Sequence, residues 1–172
     1  MPAGIGHASK DEDSHGENMS NDTVLLNLPV PKTVEAVLTV GSCLDDHTFL
    51  RDVFRGSNWR LFGLRSCREA AVFLRDNRVA VVVSESELSD GTWKDVLADL
   101  KSVPNPPRLI VTSDLADESL WAEVLNYGAY DVLAKPFHRS EILRIISLAW
   151  RDWKETVDRA RVFAPAVMVA GA

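Results

Sequence analysis

The sequence predicts an α/β fold in which a parallel sheet is covered by helices on both of its faces. Along residues 33–150, short apolar segments alternate with segments of helical periodicity and the connecting segments are short, which is the pattern of successive βαβ units. Residues 79–83 are apolar without interruption and predict a strand buried on both faces, as in the centre of a parallel sheet. This run turns polar at Ser84 and reaches Gly91 through a polar cluster.

Composition excludes several classes of protein. The chain of 172 residues is 46% hydrophobic and 26% charged, as is ordinary for a soluble globular domain. A net charge of −6 argues against a nucleic-acid surface, which needs clustered Lys and Arg. No apolar run approaches the roughly 20 residues of a membrane span, and the first residues lack the apolar core of a secretory signal, so we expect a cytoplasmic protein. Cys43 and Cys67 predict two reduced thiols in or near the core.

We divide the chain into three parts. Residues 1–32 have almost no large apolar side chains before Val24, so we expect a disordered leader. Residues 33–150 form the predicted α/β domain. Residues 151–172 continue the last helix to about residue 162 and then form an Ala- and Val-rich tail.

The predicted strands are apolar segments bounded by turn residues. The first runs into Gly41, and the third is the uninterrupted run that begins at Val79. In chain order the predicted strands are residues 34–40, 59–64, 79–83, 108–112 and 130–134.

The predicted helices begin at capping residues and end at glycine or before proline. Ser66 and Glu69 form a capping box, Gly56 and Gly128 follow two helices as C-terminal glycines, and Ser140 is the expected cap of the last helix. The predicted helices are residues 45–55, 66–74, 92–101, 117–127 and 140 to about 162. Apolar residues predicted to face the sheet include Trp93, Val96, Leu97 and Leu100 on the third helix, Leu120, Val124 and Leu125 on the fourth, and Ile142, Leu143, Ile145, Ile146 and Trp150 on the last.

The strand order predicts where a site lies. Right-handed crossovers leave few topologies, and the flavodoxin-like order 2-1-3-4-5 is the common one. In that order the carboxyl ends of strands one, three and five meet at one crevice. The residues at these ends are Gly41 and Ser42 for strand one, Ser84 and Glu85 for strand three, and Lys135 and Pro136 for strand five. Thr112 lies beside them at the end of strand four.

From about residue 35 to residue 150 the chain resembles the receiver domain of bacterial two-component response regulators. Residues 130–137 (YDVLAKPF) resemble the fifth strand with its Lys-Pro-Phe signature, and residues 109–113 (LIVTS) resemble the fourth strand with its Thr or Ser. Residues 81–91 resemble the third strand and the loop after the acceptor aspartate. The resemblance covers about two-thirds of the chain.

The resemblance implies Mg²⁺-dependent transfer of a phosphoryl group to an aspartate. In the family an acidic pair after the first strand holds the metal, and a Thr or Ser and a Lys bind the phosphoryl oxygens. Carried over position by position, Thr112 and Lys135 match those two phosphoryl-binding residues. Glu85 takes the acceptor position, and the acidic pair falls on Gly41 and Ser42. The family also makes the bond before Pro136 a candidate cis peptide.

Two departures from the family pattern concern the chemistry itself. Gly41 and Ser42 supply no carboxylate, and Mg²⁺ prefers carboxylate and water oxygens. Asp45 and Asp46 are an alternative metal pair, but we interpret them as residues that cap the first helix and stabilise its start by their charge. Glu85 is one methylene longer than Asp, so we expect its carboxylate to extend outward into the phosphoryl space and to pair with Lys135.

Three interpretations of Glu85 remain open at this point. It is a constitutive mimic of a phosphorylated aspartate, or a structural partner of Lys135 without signalling consequence. In the third, phosphorylation does occur, at Glu85, Ser84 or Asp90.

The sequence therefore predicts a stand-alone pseudo-receiver that acts as a protein-interaction module in bacterial two-component signalling, without enzymatic activity, metal or cofactor. The alternative is a working phospho-acceptor of a phosphorelay, which would use Mg²⁺. A flavodoxin-like cofactor enzyme would need a phosphate-binding loop after the first strand, and residues 41–44 make a poor one. We expect the last helix to protrude beyond the domain, and a protein partner, either a signalling protein or a second copy, to bind at the fourth and fifth helices near Trp121 and Trp153. The alternative, that Trp121 and Trp153 pack within the domain, remains open at this point. Neither a nucleic acid nor a membrane is expected as a partner.

Overall fold

The computed structural model describes residues 35–163, so the leader predicted at residues 1–32 and the tail after residue 163 lie outside the described residues. Strands and helices alternate along the described chain. In order they are β1 (Glu35–Val40), α1 (Leu44–Phe54), β2 (Trp59–Leu64), α2 (Cys67–Asp76), β3 (Val81–Glu85), β4 (Glu87–Leu88), β5 (Gly91–Thr92), α3 (Trp93–Lys101), β6 (Arg108–Ser113), α4 (Glu118–Tyr127), β7 (Asp131–Ala134) and α5 (Arg139–Phe163).

Five of these strands form one parallel sheet in the order β2-β1-β3-β6-β7. Numbered among themselves the five strands have the order 2-1-3-4-5, so the flavodoxin-like fold class is confirmed. β3 is the central strand, and its residues from Val81 to Ser84 are at most 3% exposed. The antiparallel pair of two-residue strands β4 and β5 was not predicted, because segments this short carry no periodicity.

The sheet has an apolar core on each face, because successive strand residues point to opposite sides. Leu38 and Val82 lie in the core that α2, α3 and α4 cover. Val37 and Val81 lie in the core that α1 and α5 cover. The inward residues predicted for α3 are all buried.

Two details of the helices differ from the predictions. The amide of Ile142 donates to the carbonyl of His138 at 3.0 Å and α5 begins at Arg139, so Ser140 lies in the first turn and is not the cap. Leu125 was predicted to face the sheet but is 51% exposed, whereas Val124 is fully buried. Neighbouring helix positions are about 100° apart, so α4 turns Leu125 to solvent when Val124 meets the sheet.

The second half of α5 packs on the domain instead of projecting from it. The indole N–H of Trp153 donates to the carbonyl of Asn105 at 3.0 Å, and Val157 is only 7% exposed. Arg108 on β6 donates to Thr156 Oγ1 at 2.7 Å and pairs with Asp152. Trp153 is therefore a packing residue of the described chain.

Within residues 35–163, no helix has the length and apolar character required to cross a lipid bilayer. Cys43 and Cys67 are both free thiols, the first half-buried and the second buried, as predicted.

Candidate functional site

The carboxyl ends of the strands border an open crevice of about 730 Å³, where the strand order places a binding site. Glu85, Thr112, Lys135 and Pro136 line this crevice, and the bond between Lys135 and Pro136 is cis. The loop between β1 and α1, residues 41–43, forms one wall and contacts Glu85.

The carboxylate of Glu85 is bound by the loop between β1 and α1. Its Oε2 accepts a hydrogen bond from the amide of Ser42 at 3.1 Å and a longer one from the Ser42 hydroxyl at 3.5 Å. Its Oε1 accepts from the amide of Cys43 at 3.4 Å. Amides at a helix start lack intrahelical partners and favour negative charge. The carboxylate therefore contacts this loop in addition to Lys135, the partner expected from the sequence.

Gly41 makes this arrangement possible. A Cβ atom at position 41 would lie 2.6 Å from Cδ, 2.8 Å from Cγ and 2.9 Å from Oε1 of Glu85, closer than nonbonded atoms approach. The Glu85 side chain therefore occupies the space that a side chain at position 41 would need.

Lys135 holds two carboxylates at once. Its Nζ lies 3.3 Å from Glu85 Oε1 and 2.5 Å from Asp46 Oδ2, and the three side chains are 14%, 15% and 24% exposed for Lys135, Glu85 and Asp46. Burial by itself would lower the pKa of Lys135, but the hydrogen bond and charge of Asp46, followed by the charge of Glu85, raise it above its ordinary value. The ammonium is therefore a fixed positive charge between two negative ones.

Asp46 has a larger role than the sequence suggested. Cys43 is the N-cap of α1, so the prediction that Asp45 and Asp46 cap this helix is wrong. Both lie in its first turn, where their charge favours the helix as predicted. Asp45 is exposed, whereas Asp46 also forms the closest ion pair of Lys135. Helical spacing alone does not show which of two adjacent first-turn carboxylates faces the end of β7.

Thr112 lines the crevice, whereas Ser84 on the adjacent strand does not. Thr112 is 3% exposed, and its hydroxyl donates to the Ser84 carbonyl at 3.4 Å. Ser84 is fully buried, and its hydroxyl donates to the Glu85 carbonyl at 3.0 Å. A phosphoryl donor has no access to the Ser84 hydroxyl in this conformation.

Asp90 caps a helix and does not point into the crevice. Its two carboxylate oxygens accept the amides of Cys67 at 2.8 Å and Arg68 at 3.0 Å, which open α2. The hydrogen bonds from Arg68 and Cys67 lower the pKa of Asp90. This carboxylate therefore fastens the β4–β5 turn to the start of α2.

His47 supports the loop from below and was not singled out from the sequence. Its Nε2 lies 2.8 Å from the Gly41 carbonyl and its Nδ1 lies 2.7 Å from Thr39 Oγ1. A carbonyl only accepts, so Nε2 carries a proton and donates to Gly41. The ring thereby holds the loop that binds Glu85.

The residues present do not fit a Mg²⁺ site of the kind that the resemblance implies. Among the described residues, the ligand atoms of Cys43, Asp46 and Glu85 lie within 4.8 Å of one another. A thiol is a soft ligand, whereas Mg²⁺ demands hard oxygens in octahedral geometry. Both carboxylates are also paired with the ammonium of Lys135, and Gly41 and Ser42 supply no further carboxylate.

The solved structures similar to this chain include signal receiver domains. One, from an HD domain-containing protein of Pseudomonas fluorescens, matches with a TM-score of 0.64 and 23% identity over 70% of this chain and 97% of that one. The receiver domain of a sensor histidine kinase from Pseudomonas aeruginosa carries a magnesium ion in its active-site cleft. It matches with a TM-score of 0.60 and 19% identity over 67% of this chain and 97% of that one. The beryllofluoride-activated NtrC4 receiver domain dimer matches with a TM-score of 0.64 and 20% identity over 69% of this chain and 98% of that one. No family model and no curated protein matches the sequence. The described chain thus has the receiver fold, at an identity that speaks for the fold alone.

Proposed function

We propose that this chain is a pseudo-receiver: a cytoplasmic protein-interaction module of two-component signalling whose site is closed by its own carboxylate. The observation that carries the proposal is the contact set of Glu85, whose carboxylate accepts from the amides of Ser42 and Cys43 and pairs with Lys135. A group so satisfied gains nothing from a metal or phosphoryl ligand. The site is then in one fixed state of charge.

The charge balance of the crevice supports a site that is not phosphorylated in the Asp- and Mg²⁺-dependent way. A phosphoryl group brings negative charge that a metal and a Lys must neutralise. Here the single ammonium of Lys135 already pairs with two carboxylates, Glu85 and Asp46, and has no positive charge left for a phosphoryl group. Five carboxylates line the crevice against that single Lys; they are Asp45, Asp46, Glu85, Glu87 and Asp114.

A melting experiment with Mg²⁺ tests this part of the proposal. Ligands that bind only the folded state raise the melting temperature. We expect the same melting temperature in MgCl2 as in NaCl of equal ionic strength, because Glu85 and Asp46 are paired with Lys135 and positions 41 and 42 carry no carboxylate. A Mg²⁺-specific rise would contradict the closed site and favour the phosphorelay alternative.

We place the partner surface on α4. Trp121 is 38% exposed and Leu125, one helical turn further, is 51% exposed, so both lie on the same outward strip of α4. Exposed apolar side chains grouped in this way are typical of interaction surfaces. One solved structure with this fold is a receiver dimer, and a second copy of this chain is the partner we test first.

Charged substitutions on α4 test that surface. We expect Trp121→Glu combined with Leu125→Glu to abolish self-association in analytical ultracentrifugation and to leave the melting temperature nearly unchanged, because both side chains are exposed. Val72→Glu on α2 is the matched control, since Val72 is 56% exposed on another helix. A wild-type chain that is monomeric at every concentration would exclude the second copy as partner.

A further inference from the structure

The contact between Glu85 and position 41 has a consequence beyond the closed site. The three atoms of Glu85 nearest to a Cβ at position 41 are Cδ, Cγ and Oε1, at 2.6, 2.8 and 2.9 Å. The overlap therefore involves both the aliphatic part and the carboxylate. Rotating the carboxylate alone does not relieve it.

The backbone does not by itself require glycine at position 41. Among the described residues, the glycines with a left-handed backbone are Gly56 and Gly128, and Gly41 is not one of them. An alanine at position 41 therefore meets no conformational penalty of the kind that a positive φ imposes. What position 41 lacks is space, and Glu85 takes that space.

We propose that Gly41 and Glu85 form an interdependent pair. The absence of a side chain at position 41 leaves the space in which the Glu85 carboxylate lies, and that carboxylate in turn accepts hydrogen bonds from the amides of Ser42 and Cys43. The two departures from the receiver pattern are then one structural change. In the receiver pattern the loop after the first strand presents carboxylates to a metal cation. Here residues 41–43 present amide N–H groups to an anion, and that anion is the carboxylate of Glu85.

The hydrogen bonds explain why both members of the pair are needed. A side chain at position 41 pushes Glu85 off the amides of Ser42 and Cys43 and away from Lys135. Removing the Glu85 carboxylate frees the space, and position 41 then tolerates a Cβ. The inference rests on the proposed function only in taking the site as closed, and its test measures folding without using phosphorylation or Mg²⁺.

The test is a double-mutant cycle measured by urea unfolding. We expect Gly41→Ala to lower the folding equilibrium constant at least tenfold in the wild-type background, which corresponds to about 1.4 kcal/mol. In the Glu85→Ala background the same change is expected to leave the constant unchanged or to raise it, because alanine reduces the freedom of the unfolded chain. The sign of the effect therefore depends on residue 85.

Glu87→Ala is the matched control background. Glu87 is an exposed carboxylate two residues from Glu85 that lines the same crevice, and it does not appear among the neighbours of position 41. Gly41→Ala should lower the folding equilibrium constant by the same factor in that background as in the wild type. If Gly41→Ala does not fold at all, a folded Gly41→Ala/Glu85→Ala double variant supports the pair, and an unfolded one overturns it. An equal cost of Gly41→Ala with and without Glu85 also overturns it. A phosphorylated wild type would contradict the proposed function and leave this cycle unaffected.

Discussion

Lys135→Met is expected to destabilise the domain by about 3 kcal/mol, the lower end of the range for breaking a buried ion pair. Methionine keeps the length and apolar stem of lysine but removes the charge that faces both Asp46 and Glu85. Since these carboxylates are largely shielded from water, each loses its counter-charge without regaining full hydration. Urea unfolding at neutral pH measures the loss.

The pH dependence identifies the cause. In the wild type the raised pKa of Lys135 means that its contribution is fully present below 10.5, the ordinary lysine value, and is lost as the pH rises through the raised folded-state value. In Lys135→Met this alkaline loss should disappear.

Lys94→Met is the matched control for that variant. Lys94 also pairs with a carboxylate, Glu123, but both side chains are about 40% exposed, at 39% and 41%. Exposed ion pairs contribute little to the free energy of unfolding. Lys94→Met should therefore be far less destabilising than Lys135→Met. Equal losses for the two variants would show that Lys135 does not act as the centre of a shielded cluster.

Trp153→Ala is the second substitution with a large expected effect, a loss of about 3 kcal/mol, as for other large aromatic side chains removed from a core. Trp153 packs against the core under α5 and also donates to Asn105. Trp153→Phe retains most of the packing and loses the hydrogen bond, so a loss of about 1 kcal/mol is expected. Chemical unfolding monitored by circular dichroism measures both.

Trp121→Ala is the control for Trp153. It removes the same side chain from a position that is 38% exposed, so its cost should be clearly smaller than that of Trp153→Ala. If Trp153→Ala were as mild as Trp121→Ala, the second half of α5 would not be part of the folded domain.

The fold was predictable because its signals are local. The uninterrupted run at residues 79–83 indicates a central strand, and glycines such as Gly128, which adopts a φ of 91°, mark helix ends. The predictions fall short where the environment of a side chain depends on neighbouring helices and strands. Leu125 matches an inward pattern on α4, but Val124 is the residue of that helix that is buried. Whether Trp153 packs within the domain could not be decided from the sequence, because no local signal predicts its contact with Asn105, 48 residues away.

The candidate site was predictable in its members but not in its arrangement. Glu85, Thr112 and Lys135 could be placed at one edge from strand order alone. Gly41 could only be interpreted as a missing carboxylate, because a sequence pattern does not show which side chain fills the space beside a glycine. Asp46 and His47 could not be assigned, since their roles depend on how α1 is rotated against β1 and β7.

The most direct test of the closed site is the intact mass of the purified chain after incubation with acetyl phosphate and Mg²⁺. A receiver domain that carries a complete acidic pair and an acceptor Asp is the positive control under the same conditions. We expect the control to gain the mass of one phosphoryl group and this chain to gain none, because Glu85 and Lys135 already satisfy each other. A gain of one phosphoryl group by this chain, lost again in Glu85→Ala, would contradict the account and identify Glu85 as a phospho-acceptor.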